Sequence, residues 1–464
     1  MIRFLLPFLA LALPLVARPN VLLLAVDDLR PEFGAFGAEY IESPAMDAIA
    51  ASGRAFHRHF VQAPTCGASR YALLTGRYAR NQARRDNHAI FDYASRHAQE
   101  PPSLPELFRK NGYRTVSLGK ISHHPGGLGG ENWNDPSKPE LPEGWDHHEM
   151  PGKPWADPVS AMHGYANGVA RKRGVTPGFE HVVGDDKTYT DGWIAEAALR
   201  ELTDLAERKE PFFLAVGLMK PHLPFACPKS YRDRYAKVKF PAISHPEKPK
   251  GLSTWHPSGE FMQYNHAGRD PRKDPAYAEE IRRSYAACIT YADTQIAKIM
   301  ARLDELGLTD NTIVVLWGDH GYHLGEHGVW GKHTLFEESL HSPLIIRTPG
   351  MRAAGSASRA IVETVDIYPT LGALCGVPLP KTLDGHSLTP QLENPEAEGR
   401  MAIAYSSGKE TIRSARHRLI RHGGKTPRYE LYDHQHPAGE TKNIAEENPD
   451  LVEKLAAEID QRLR

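Results

Sequence analysis

PNVLLLAVDD, residues 19 to 28, is an unbroken apolar run closed by two acids. A short run without polar alternation fits a strand buried on both faces, as inside a parallel sheet covered by helices. Its end matters as much as its middle, because open α/β sheets bind ligands beyond the carboxyl ends of their strands. YRTVSLGK (113–120), PFFLAVGLMKPH (211–222), NTIVVLWGDHG (311–321) and PLIIRTPG (343–350) read the same way. Helical patterns lie between them, at SLPELFRKNG (103–112), WIAEAALRELTDLAER (193–208) and 277–307. The alternation predicts an α/β fold, a mainly parallel sheet sandwiched by helices.

Working outward, the chemistry collects at strand ends. Asp27 and Asp28 close the first strand, Lys120 with His123 the second, His222 the third, and Asp319 with His320 the fourth. One polar strand end is an ordinary solvated turn, but four bring acids, bases and cations to one edge. Residues 124–187 and 223–275 are rich in Pro, Gly, His and Asp with weak periodicity, and read as long loops over that edge that shape specificity. Past Ile361, VETVDIYPTLGALCG reads as a further helix. From Met401 short alternating strands precede a final helix, NPDLVEKLAAEIDQRL. These patterns predict a principal domain over 18–395 and a smaller C-terminal α+β subdomain over 396–464.

The chain has 464 residues, 41% hydrophobic and 24% charged, with a net charge of −1. That balance supplies no broad basic field for nucleic acid, so an anionic ligand must be met locally. MIRFLLPFLALALPLVA, residues 1–17, carries one early positive charge and an apolar run too short to span a bilayer. It predicts a signal peptide, hence export to a bacterial periplasm or the medium, with no stable membrane insertion. Oligomeric state is not legible. The four cysteines have no CxxC spacing and form no disulfide framework; Cys288 fits a helix core.

Cys66 is different. In APTCGASRYALLTGRY (63–78) it stands among Pro64, Gly67 and Ser69, in a context of turn and helix start. Cys66-Gly67-Ala68-Ser69-Arg70, followed by Leu74-Thr75-Gly76-Arg77, resembles the signature of the formylglycine-dependent type I sulfatases, with Ala68 where proline is commonest. VDDLRPEFGAFG, GKISHHPG, PFFLAVGLMKPHLPF, SYAACITYADTQ, GDHGYHLGEHG and YELYDHQHPAGETKNIA are similar to their counterparts in that family. The wording of the first, third and fifth is closest to the iduronate-2-sulfatase branch.

The resemblance implies an alkaline-phosphatase-like fold and hydrolysis of a sulfuric ester on a saccharide, with 2-O-sulfated uronic acid as the branch's substrate. It implies that a formylglycine-generating enzyme oxidises Cys66 to formylglycine. Asp27, Asp28, Asp319 and His320 match the family's metal ligands, with residue 66 completing the shell. The oxygen-rich set suits Ca2+ or Mg2+, and the resemblance favours Ca2+. Arg70 would neutralise charge beside the nucleophile, and Lys120 and Lys332 would clamp sulfate oxygens. His222 would protonate the leaving alcohol, and a histidine of GKISHHPG would take a proton from the residue 66 diol. Spacing from Lys120 favours His123 for that base, whereas closeness to Pro125 and Gly126 favours His124; the reading adopted is His123.

Two other classes compete. A phosphomonoesterase or phosphodiesterase of the same superfamily is disfavoured by the complete Cys66–Arg70 and Leu74–Arg77 pattern. A non-catalytic, metal-containing glycan-binding protein would lack one or more of Cys66, Arg70, Lys120, His222 and Lys332. His323-Leu324-Gly325-Glu326-His327 matches a zinc-peptidase pattern, but Gly325 and Gly328 argue against the continuous helix that chemistry needs. His323 is expected in the substrate pocket or on the surface. RNQARR (80–85) and RKR (171–173) read as solvated loops with a glycan-contacting alternative, and Trp133, Trp145, Trp155 and Trp255 as loop packing that offers ring faces to sugars.

Overall fold

A computed structural model describes residues 18–123, 141–151, 154–249, 251–252, 259–406 and 408–463. The expected leader (1–17), His124, Trp133 and Trp255 lie outside the described residues. The main sheet has eight strands: β1 (Asn20–Val26), β2 (Arg54–Phe60), β3 (Arg114–Gly119), β4 (His147–Glu149), β5 (Phe212–Leu218), β6 (Thr312–Gly318), β7 (Leu344–Arg347) and β8 (Ser358–Glu363). Their order is β8-β2-β7-β6-β1-β5-β3-β4. The apolar run of the opening stretch is the central strand β1, buried along its whole length.

Alternate residues of the central strands serve opposite faces. Leu22, Leu24, Leu214, Val216, Val314 and Leu316 join one core, with the helices Thr190–Ala206 and Pro275–Glu305. Val21, Leu23, Phe213, Ala215, Ile313 and Val315 join the other, with the helices Cys66–Thr75, Leu104–Lys110 and Ile367–Leu374. Leu104–Lys110 begins at a capping box in which Ser103 and Glu106 satisfy each other's backbone N–H.

Register positions the site. β1 runs parallel to β5 and β6, with Val26 opposite Leu218 on one side and Gly318 on the other. β3 runs parallel to β5 with Gly119 opposite Gly217. Asp27, Met219 and Asp319 therefore leave the sheet abreast, with Lys120 one position behind them. Gly119 and Gly217 are required there: a Cβ on Gly119 would come within 2.2 Å of the Gly217 carbonyl oxygen, and one on Gly217 within 2.0 Å of the Lys120 carbonyl oxygen.

The sheet is parallel except at β7, which is antiparallel to both β6 and β2. The segment after β6 stays at the carboxyl edge, folds into the small antiparallel pair His323–Leu324 and Trp330–Gly331, and re-enters the sheet from that edge. Without a crossover, the returning strand has to run the other way. The helix expected from Ile361 starts later, at Ile367, because Ser358–Glu363 is drawn into the sheet beside β2.

The C-terminal part is a four-stranded antiparallel meander, β9 (Ala402–Ser406), β10 (Lys409–Arg413), β11 (His417–His422) and β12 (Arg428–Asp433), followed by the helix Pro449–Leu463. One face, through Ala402, Ala404, Ile420 and Tyr432, packs on Phe60, Leu335, Phe336 and Leu340. Ile403, Ile412, Leu419 and Leu431 on the other join Val452, Leu455 and Ile459 of the helix. Among the described residues, no helix is long and apolar enough to cross a membrane.

Candidate active site

The helix Cys66–Thr75 begins at Cys66, with Thr65 as an extended N-cap, and ends at Gly76 in the left-handed region (φ 63°). It is buried throughout. Gly67 is pinned from outside: its N–H donates to Asn87 Oδ1 at 3.0 Å, and a Cβ would collide with the Asn87 backbone. Ser69 Oγ donates to the Asp319 carbonyl, tying the first turn to the end of β6.

Arg70, one turn on, is fully buried. Its Nε donates to Asp319 Oδ2 at 3.0 Å and Nη2 to Asp27 Oδ1 at 3.1 Å. Nη1 donates to the carbonyls of Lys120 and, at 3.1 Å, Ile121. One guanidinium thus joins the ends of β1, β3 and β6. Asp27 uses its other oxygen to accept from Lys120 Nζ. Lys332, on the segment after β6, donates to Asp28 Oδ1 at 2.6 Å and reaches Cys66 Sγ at 3.3 Å. His320 Nε2 lies 3.2 Å from the same sulfur and 3.3 Å from Asp28 Oδ1.

Asp27, Asp28, Cys66 and His320 offer ligand atoms all within 4.8 Å of one another. Asp28 Oδ2 is buried with no hydrogen-bond partner among the described residues. A buried carboxylate oxygen without a partner is costly unless a cation uses it. The donor set, two carboxylates and one imidazole beside the Cys66 sulfur, fits a divalent metal. Asp319, also predicted as a ligand, is adjacent: Oδ1 accepts from the Asp28 N–H at 2.9 Å and lies 3.7 Å from His320 Nε2.

The charges are unequally compensated. Burial raises the Asp28 carboxyl above its ordinary value, against Lys332 and His320. Asp27 is buried equally, yet Lys120 and Arg70 hold it well below the usual carboxylate range. Burial and then Asp27 push the Cys66 thiol well up, against the pull of Lys120 and Lys332. As a thiol, residue 66 is a poor nucleophile here, because the thiolate is the reactive form.

His222 sits on the turn after β5. Lys220, beneath it, is buried and donates to the carbonyls of His163, His222 and Pro224 at 3.0, 3.1 and 2.7 Å. Asp191 accepts from the backbone N–H groups of Met219 and Lys220 at 2.8 and 2.9 Å. Burial holds His222 neutral despite Asp27, and Lys120 and Lys332 push the same way. Its Nδ1 has no hydrogen-bond partner among the described residues. His123 follows Lys120 by three residues at the same edge.

Sequence reasoning missed several neighbours. Glu260 lies 3.5 Å from Lys332 Nζ, and the His163 ring faces the His222 ring at 5.9 Å. Both come from the loop stretches with weak periodicity, so no pattern pointed to them. Other expectations need correction. His323 is on neither pocket wall nor surface: it is buried, with Nδ1 3.1 Å from the Glu326 carbonyl oxygen and Nε2 2.8 Å from Thr334 Oγ1. Gly325 and His327 have φ of 114° and 55°, so the zinc-peptidase helix does not form. Arg84 and Arg85 are not solvated; Arg84 pairs with Asp92 at 2.7 Å and with Glu100, and Arg85 with Glu410 at 3.0 Å. Trp145 and Trp155 are core residues.

The strand ends thus gather acids, cations, a histidine and a cysteine at the carboxyl edge of a helix-covered, mainly parallel sheet, with a donor set that could hold a divalent metal. A sequence profile described as Sulfatase matches residues 19–377, and one described as N-sulphoglucosamine sulphohydrolase, C-terminal, matches 325–464. Iduronate 2-sulfatase of Homo sapiens is 31% identical over 397 residues, 78% of this chain and 70% of that protein. The chain therefore belongs to the sulfatase family and is a sulfuric ester hydrolase. Among solved structures, an enzyme in complex with its substrate D-glucosamine-2-N,6-O-disulfate aligns with a TM-score of 0.72 at 23% identity, over 96% of this chain and 97% of that one. The phosphonate monoester hydrolase of Agrobacterium radiobacter aligns with a TM-score of 0.77 at 24% identity, over 96% and 95%. Both share the fold.

Proposed function

We propose that this protein removes sulfate from a sulfated saccharide, with 2-O-sulfated uronic acid as the substrate class, through a formylglycine made from Cys66. The observation that carries the reading is the in-register set of strand ends: Asp27, Asp28, His320 and Cys66 converge, and Asp28 Oδ2 is left unpartnered. The similarity to iduronate 2-sulfatase, at 31% identity, supports the uronic acid and the 2-O position.

Asp27, Asp28, Asp319 and His320 would hold Ca2+, with Mg2+ the other oxygen-seeking candidate, and such a cation supplies Lewis-acid polarisation of oxygen. Formylglycine supplies, as its hydrate, a hydroxyl nucleophile where the thiol is a poor one. Lys332 and Lys120 hold sulfate oxygens as point charges, and Arg70 positions Asp27 and Asp319. A bound sulfate monoester brings negative charge to His222, which raises its proton affinity and lets it protonate the leaving alkoxide. His123 would be the base that accepts a proton from residue 66 once that residue carries the hydrated formylglycine. A formylglycine-generating enzyme matures the chain, export follows from residues 1–17, and 18–395 and 396–464 divide the remainder into catalytic domain and C-terminal subdomain.

The test combines peptide mass spectrometry at position 66, metal analysis before and after chelation, and sulfate release from defined saccharides. The expected result is an aldehyde or its hydrate, about one Ca2+ per chain whose removal stops turnover, and preference for the 2-O-sulfated uronate. Faster hydrolysis of phosphate or phosphonate esters than of any sulfate ester would overturn it.

A further inference from the structure

Beyond the groups proposed to hold sulfate, Arg171 has only neutral partners among the described residues. Arg171 is half-buried on the loop after the helix Pro158–His163. Its Nη1 lies 3.5 Å from His163 Nε2, and its guanidinium carbon lies 4.4 Å from the centroid of the Tyr264 ring. Its Nε is buried with no hydrogen-bond partner among the described residues. His163 is neutral, pushed down to about 3 by burial and then by Arg171, and it cannot serve as a counter-ion. Glu260, the acid beside Tyr264, is engaged 3.5 Å from Lys332. His163 neighbours both residues: its Nε2 lies 3.5 Å from Arg171 and its ring centroid 5.9 Å from that of His222.

We infer that Arg171 is a specificity-determining residue that binds a second anionic group, a carboxylate or a further sulfate, on the sugar whose sulfate ester is cleaved. A guanidinium stacked on an aromatic ring keeps its outer N–H groups in a fixed fork, which matches a planar oxyanion in two contacts. A partly buried cation without an anion is poorly compensated, and a charged ligand completes it. Placement supports this role. With the leaving oxygen at His222, a sugar lying along His163, which neighbours both side chains, would bring a group on its far side toward Arg171. In a 2-O-sulfated uronic acid the carboxylate stands across the ring from O2, and in a 2-N,6-O-disulfated glucosamine the second sulfate is likewise remote from the first. Arg171 would therefore select sugars that carry two anionic groups over those that carry one. The inference rests on the sulfatase reading of the site.

The experiment compares the mature wild-type enzyme with Arg171→Ala and Arg171→Lys on four substrates: p-nitrophenyl sulfate, a 2-O-sulfated uronic acid, its C6-reduced counterpart that keeps only the sulfate charge, and 2-N,6-O-disulfated glucosamine. For Arg171→Ala the expected result is a fall of about 10–100-fold in kcat/KM on a dianionic sugar relative to p-nitrophenyl sulfate, carried by KM. Arg171→Lys should restore part of it. Loss confined to the uronic acid identifies the carboxylate, and loss confined to the disulfated glucosamine identifies the second sulfate. Equal losses on all four substrates, or an unchanged ratio, would overturn the inference. Failure of the wild type on p-nitrophenyl sulfate would overturn the sulfatase mechanism instead, and calorimetric binding of the same sugars to wild type and Arg171→Ala would then decide the inference alone.

Discussion

Two buried charge clusters invite comparison, one at the strand ends around Cys66 and one where the C-terminal sheet meets the principal domain. Each sets acids against an equal number of permanent cations: Asp27, Asp28 and Asp319 against Arg70, Lys120 and Lys332 in the first, Glu337 and Glu440 against Arg413 and Arg418 in the second. Each also brings acids and a histidine within metal-ligand reach. The outcomes differ. Arg413 holds Glu337 at 2.9 Å, and Arg418 bridges Glu337 and Glu440 at 2.5 Å each. Despite burial, Arg413 and Arg418 keep Glu337 well below the usual carboxylate range, and Arg418 and His434 bring Glu440 down to about 2. Asp28, with Lys332 as its cationic partner, is raised by burial and keeps an oxygen without a hydrogen-bond partner, whereas Glu440 Oε1, which also lacks an aligned hydrogen bond, lies 2.5 Å from Arg418 Nε. Arginine forks close a cluster upon itself, whereas lysine point charges leave it open to a ligand. The first cluster is chemistry; the second is glue.

The largest break in this comparison is Cys66→Ala. Turnover should vanish while the thermal midpoint stays near that of the wild type; an active alanine variant would remove residue 66 from the reaction. His222→Ala should come next. A sugar alkoxide needs its proton and a nitrophenolate does not, so activity on the saccharide should fall roughly 10²–10⁴-fold further than on p-nitrophenyl sulfate. Equal losses on the two would demote His222 to sulfate binding.

Arg418→Ala tests the closed cluster. Removing one partner strands the buried Glu440 and should cost about 3–5 kcal/mol in denaturant unfolding. Specific activity per folded molecule should hold; a variant as stable as the wild type would refute the contrast. The smallest effect concerns His59, fully buried between Ser342 O at 3.1 Å and Thr364 Oγ1 at 3.0 Å. Burial pushes it down to about 3, so between roughly pH 6.5 and 3 the unfolded chain binds a proton that the folded one does not. Stability therefore falls as pH falls through that window. In urea titrations, His59→Gln should shrink the loss between pH 7 and pH 5 by about 2 kcal/mol. An unchanged loss would mean that His59 takes up its proton in the folded state.

Some of the molecule was legible early because its cause is local. β1, β3, β5 and β6 are apolar runs, and a strand buried on both faces has to be one. β2, RAFHRHF, escaped that reading because its polar residues are buried through distant partners. Arg54, inside it, has no acid beside it and is satisfied by carbonyls, among them those of Ala353, Gln391 and Leu392 at 3.0 to 3.1 Å. The buried Arg84 and Arg85 were misread for the same reason: their acids, Asp92, Glu100 and Glu410, are assigned by folding.

By itself, the sequence determined the apolar strands, the acids and bases at their ends, and the Cys66–Arg70 pattern at the start of a helix. Each of these depends on neighbours along the chain, through alternation, capping or turn chemistry. Tertiary structure alone decided that the strand ends meet at one edge, that the chain passes Lys332 at that edge before β7 returns antiparallel, and that His163 and Glu260 come to the site from the long segments 124–187 and 223–275. Register and loop placement are set by the packing of whole faces, and a face is completed only by residues far away in the chain.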